Sequence, residues 1–122
     1  MNWWMLAGGM MALVCALGHA VPGAGMYLRP IRVAVSNDLL ASIVTGMWHL
    51  ITINFILSAL ALILGVRGGQ PAIAWFVAAQ FGLYAVVYLV LSLRFGGILK
   101  LFQWIPFAAT AILAGAGAFA AP

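Results

Sequence analysis

Four uninterrupted apolar stretches, each close to the thickness of a bilayer's hydrocarbon core, leave this chain few folds. They run from Trp3 to Val21, from Leu39 to Val66, from Pro71 to Leu93 and from about Trp104 to Ala121. A helix of ~20 apolar residues crosses ~30 Å of hydrocarbon at ~1.5 Å per residue. Transmembrane strands would alternate apolar and polar residues, and these runs are continuous. Within lipid a backbone must satisfy its own N–H and C=O groups, which a helix does inside each segment. The expected fold is an all-α membrane protein, an antiparallel four-helix transmembrane bundle forming one domain over residues 1–122. With 67% hydrophobic and 5% charged residues, the chain has no polar surface for a separate soluble domain, which needs about a quarter of its residues charged.

The breaks between runs set the connections. Pro22, Gly23 and Gly25 are expected to end the first span, Arg67-Gly68-Gly69 the second, and Arg94 with Gly96-Gly97 the third, while Pro71 suits the first turn of a helix. The first run has no Lys or Arg ahead of it, and Ala12-Leu13-Val14 before Cys15 makes a poor lipoprotein site, so it reads as a retained span. Residues 22–38 form a connection too apolar for water. It is expected to lie among lipid headgroups, with Arg29 and Arg32 on phosphates and Ser36, Asn37 or Asp38 capping the second helix.

The net charge of +4 comes from five scattered basic residues, Arg29, Arg32, Arg67, Arg94 and Lys100, against one acidic residue. They form no clustered basic face, which excludes nucleic acid as a partner. Four of them fall in the first and third connections, so the positive-inside rule puts those loops in the cytoplasm and both termini outside. Gly8-Gly9, Gly18, Gly46, Gly82 and the last span's Ala114-Gly115-Ala116-Gly117-Ala118 mark places where helices can approach closely. That last span is expected to need a protein neighbour.

Polar residues inside the runs fall at helical spacing. Ser42, Thr45, His49 and Thr52 share one face of the second span, and Gln80, Tyr84, Tyr88 and Ser92 share one face of the third. His19 stands near the end of the first, with Cys15 and Met11 on the same side. Polar groups in hydrocarbon need partners, so these stripes are expected to face the bundle interior. The plain reading is that they bond one another and fix helix packing.

Two sharper readings are open. His19 and His49, on different helices, are the residue types that ligate a b-type haem iron axially, and imidazole also suits copper or zinc. Met11, Cys15 and His19 resemble a soft-ligand copper(I) set, with Met26 or Met47 to join it, although Met and Cys are also ordinary fillers of apolar helices. Catalysis lacks its usual parts. There is no carboxylate inside a span, no cysteine pair, no charged helical cluster, no zinc-protease motif and no nucleotide loop.

His19, Arg29-Pro30 followed by Arg32, and Trp48-His49-x-x-Thr52 together resemble a loose set of small, functionally uncharacterised bacterial membrane proteins. In that set a histidine ends the first span and a Trp-His pair lies in the second. The likeness covers about the first half of the chain, and the Glu that such a pattern would place soon after His19 is missing. It implies a bacterial inner-membrane location and no activity. The expected role is that of a non-catalytic accessory or assembly subunit, in contact with lipid and with other membrane subunits or further copies of itself. The alternatives are a haem- or metal-binding protein and a small oligomeric channel or transporter.

Overall fold

The computed structural model describes residues 1–120. They form α1 (Trp3–Gly18), a π-helical segment (His19–Leu28), α2 (Arg29–Ala34), α3 (Asp38–Gly65), α4 (Pro71–Arg94) and α5 (Trp104–Phe119), with no strand among the described residues. Three helical stretches are long and apolar enough to cross a membrane: Trp3–Ala34, Asp38–Gly65 and Pro71–Arg94. The fourth, α5, has 16 residues and is ~24 Å long, short of a full hydrocarbon thickness. The sequence reading carried this span on to Ala121, which lies outside the described residues.

Local chemistry explains most boundaries. Asn2 caps α1 by accepting from the Met5 N–H at 3.2 Å, and its amide donates to the Gly117 carbonyl at 2.7 Å, which ties α1 to the far end of α5. Of the three candidate caps for α3, Asn37 does the work, accepting from the Leu40 N–H at 3.1 Å. Pro71 opens α4, where its missing N–H is no loss.

The end of the first span differs from expectation. Pro22 does not stop the helix; the chain continues helically through Leu28 and Ala34, leaving only Val35–Asn37 between α2 and α3. In an α-helix the proline ring collides with the carbonyl four residues earlier. The wider π turn, with hydrogen bonds reaching five residues, moves that carbonyl aside. Most of residues 22–38 is therefore a helical extension rather than a loop, with Arg29 and Arg32 exposed on it.

α1 lies at the centre of the packing. It contacts α5 on one side and α3 on the other, α4 packs mainly on α5, and α3 and α4 scarcely touch each other. The tight contacts run through glycine. A Cβ on Gly8 would lie 3.2 Å from the Ala114 nitrogen, one on Gly117 3.0 Å from the Met5 nitrogen, and one on Gly9 3.1 Å from the Ala59 carbonyl oxygen. The Ala/Gly-rich last span thus finds its protein neighbours within the chain, in α1 and α4. Below this, Phe55, Phe81, Tyr84, Tyr88 and Phe107 form an aromatic core with ring centroids 5.4–5.9 Å apart.

Candidate functional site

Two polar clusters stand at membrane depth. The first is built on His19, the residue at which α1 gives way to the π-helical segment. Its ring stacks on Trp48 of α3 with centroids 3.9 Å apart and planes 17° off parallel, and meets Phe55 edge-on at 5.6 Å. Nδ1 lies 2.8 Å from the Thr52 hydroxyl. The same hydroxyl lies 3.2 Å from the Trp48 carbonyl; when it donates there, His19 donates from Nδ1 and keeps a lone pair on Nε2. Trp48 comes close enough to cover the π-helical segment because Gly23 has no side chain: a Cβ there would sit 3.2 Å from the indole. The Trp48 Nε1 is buried without a hydrogen-bond partner.

The other residues expected to join His19 go elsewhere. His49 is exposed and makes no side-chain hydrogen bond among the described residues, so the expectation that it bonds into the interior does not hold. Trp48, the residue before His49, lies against one face of the His19 ring. Cys15 points to α5, with its sulfur 3.8 Å from the Thr110 hydroxyl, whereas His19 points to α3. Met11 is partly buried on the same helix, and no group of three His, Cys, Asp or Glu residues able to hold a metal occurs among the described residues.

The second cluster bridges α3 and α4. Asn54 Nδ2 donates to the Tyr84 hydroxyl at 2.9 Å. Gln80 Nε2 donates to the same hydroxyl at 3.2 Å and to the Ser58 hydroxyl at 3.4 Å, while Ser58 donates to the Asn54 carbonyl at 2.9 Å. These long side chains hold the two helices together across a gap that their backbones do not close. The gap is an open, mainly apolar groove of about 430 Å³, lined among others by Asn54, Leu57, Ser58, Phe76 and Gln80. The Asn54 and Gln80 amides each keep hydrogen-bonding capacity beyond these contacts, and neither is sealed in the core. Asn54 lies ~16 Å from the Gly65 end of α3 and Gln80 ~14 Å from the Pro71 end of α4. Both therefore lie toward the middle of their own helices.

Of the two expected stripes, only parts face inward. Gln80, Tyr84 and Thr52 do; Ser42 is exposed, and Thr45 bonds the Ala41 carbonyl of its own helix at 2.8 Å. Tyr88 joins the aromatic core by its ring. Ser92 organises the loop after α4, donating to the Gly97 carbonyl at 2.6 Å and accepting from the Leu101 N–H at 3.0 Å. The stripes thus line no common path. Asn54 and Ser58 went unread in the sequence, although an amide inside an apolar run followed four residues later by a hydroxyl was a visible signal.

Comparison with protein-family models, curated proteins and solved structures finds no match to this chain.

Proposed function

We propose that this protein is a non-catalytic membrane subunit whose work is assembly, presenting its α3–α4 face to a neighbour within a bacterial inner membrane. The carrying observation is the open groove lined by two amides with unused hydrogen-bonding capacity, part-way along two apolar helices. Unsatisfied polar groups are unfavourable in hydrocarbon, and a neighbouring helix is the usual source of the missing hydrogen bonds. The α1–α5 and α1–α3 seams, by contrast, are brought close by glycine contacts. The bacterial location follows the sequence resemblance. Four crossings with both termini outside follow the placement of the basic residues. The test is purification in native-membrane nanodiscs: the protein comes out with further polypeptide, and isolation as a single chain in lipid defeats the proposal.

A second reading rests on His19. Its ring is held at Nδ1 by Thr52, and a hydrogen bond at one ring nitrogen is what orients a ligating imidazole and leaves Nε2 for an iron or copper ion. An optical spectrum of the purified protein decides it. A Soret band lost in His19→Ala supports a haem, and a featureless spectrum with no stoichiometric metal removes this reading.

A further inference from the structure

We propose that the end of the bundle carrying Arg29, Arg32, Arg94 and Lys100 is one composite docking surface for acidic phospholipid headgroups, with the four cations on their phosphates. The inference stands apart from the α3–α4 face and does not depend on what covers it.

The sequence keeps these cations in two separate connections and places only Arg29 and Arg32 on phosphates. The fold gathers all four. α1 and α5 run antiparallel, with Met5 against Gly117 and Cys15 against Thr110. At the start of α5, Gln103 donates to the hydroxyl of Tyr27, two residues before Arg29, at 2.7 Å. Ser92 bonds the Gly97 carbonyl at 2.6 Å and the Leu101 N–H at 3.0 Å, which holds the turn bearing Arg94 and Lys100 at this same end. Arg67 is at the opposite end, where the Asn2 N–H meets the Val66 carbonyl at 3.4 Å. All four gathered side chains are exposed, and none makes an ion pair or a side-chain hydrogen bond among the described residues. The single acidic residue, Asp38, starts α3 nearby, so four cations stand against one carboxylate.

Depth and composition name the occupant. Tyr27 is level with the start of α5, so Arg29–Ala34 overhangs the packed part of the bundle. The stretch Trp3–Ala34 has 32 residues, on the order of 45 Å at helical rise, against ~30 Å of hydrocarbon. With the exposed Trp3 at the opposite interface, the usual place for tryptophan, the excess carries α2 among headgroups. Apolar side chains stand between the cations: Ile31 and Val33 on α2, and Phe95, Ile98 and Leu99 ahead of α5, all exposed. A water-soluble polyanion would leave those side chains in water. A headgroup layer gives phosphate to the cations and an acyl boundary to the apolar groups. A zwitterionic headgroup brings its own cation with its phosphate, so net attraction selects the acidic lipid.

The test is electron spin resonance of spin-labelled phosphatidylglycerol, and separately of spin-labelled phosphatidylcholine, in phosphatidylcholine vesicles holding the full chain. The motionally restricted fractions give the preference between the two lipids. A roughly fivefold preference for phosphatidylglycerol is expected, the scale of one basic residue at an anionic surface, and it should fall as added salt screens the charges. Arg29→Gln with Arg32→Gln, and Arg94→Gln with Lys100→Gln, should each lower it; all four together should abolish it, while Arg67→Gln leaves it unchanged. Should the fourfold variant fail to accumulate, Arg32→Gln and Lys100→Gln taken singly make the same comparison. No preference in the wild-type chain overturns the proposal. A preference that survives Arg94→Gln with Lys100→Gln overturns the composite surface. A loss from Arg67→Gln equal to that from Lys100→Gln reduces the effect to net charge and overturns it too. Loss of the preference in inorganic phosphate, but not in sodium chloride of equal ionic strength, shows a site for free phosphate instead.

Discussion

The seam between α1 and α5 and the seam between α3 and α4 solve the same packing problem in opposite ways. At α1–α5, glycines bring backbones so close that added Cβ atoms on Gly8 and Gly117 would meet main-chain nitrogens at 3.2 and 3.0 Å. At α3–α4, Asn54, Ser58, Gln80 and Tyr84 reach across a space that stays open. The first seam is closed by backbone approach at glycines. The second is held by polar side chains that retain unused hydrogen-bonding capacity. In lipid, where apolar faces gain little from meeting, small residues and polar contacts are what draw helices together. A finished seam needs nothing more, and an unfinished one draws a neighbour.

The largest expected effect comes from breaking the closed seam. Gly117→Val sets a Cβ 2.6 Å from the Met5 side chain and 3.0 Å from the Met5 nitrogen. Overpacking of this kind costs about 1–3 kcal/mol, toward the upper end when backbone must move. Thermal unfolding in detergent should show the loss. Gly115→Ala, whose Cβ meets only Ala78 at an ordinary 3.8 Å, should leave the transition almost unmoved. The sequence pairs Gly115 with Gly117 as equals, and the structure separates them.

Next in size is the histidine cluster. His19→Ala removes both the Trp48 stack and the Thr52 hydrogen bond, a loss of about 1–2 kcal/mol. His49→Ala, on an exposed side chain, should change stability by less than about 0.5 kcal/mol. Equal losses for the two, measured by the same unfolding transition, would mean that His49 is not the bystander described above.

The helices themselves were legible because continuous apolar runs, Pro71 and the Ser36-Asn37-Asp38 cap carry local signals. The Gln80–Tyr84 contact was legible from its spacing of four residues. The aim of each stripe was not, because periodicity tells which residues share a face but not which way it points. Ser42 and His49 share a face with Thr52, yet only Thr52 has His19 opposite it. Most of residues 38–51 is exposed, so the first half of α3 has too little partner surface to bury a whole stripe. Pro22 misled for a related reason: its usual effect assumes an α-helix, and a π turn accommodates the ring.

Smaller effects sharpen the contrast from the open side. Asn54→Leu should change the unfolding of the isolated chain by less than about 1 kcal/mol, since single interhelical hydrogen bonds in membranes average ~0.6 kcal/mol. Its consequence should appear in association instead. A stability loss as large as that of Gly117→Val would show that the polar bridge is core rather than interface. Opposite in sign is Gly46→Ala: nothing lies within 4 Å of its Cβ position on α3. Lower backbone freedom in the unfolded chain should stabilise that variant by about 0.5–1 kcal/mol, read as a small rise in the unfolding temperature.

The account turns on the α3–α4 face being occupied in the membrane, and the mass of the protein in native nanodiscs tests that directly. Further polypeptide beside the wild-type chain, reduced in Asn54→Leu with Phe76→Ala, is the predicted result. A single chain surrounded only by lipid, identical in the wild type and the double variant, would contradict it.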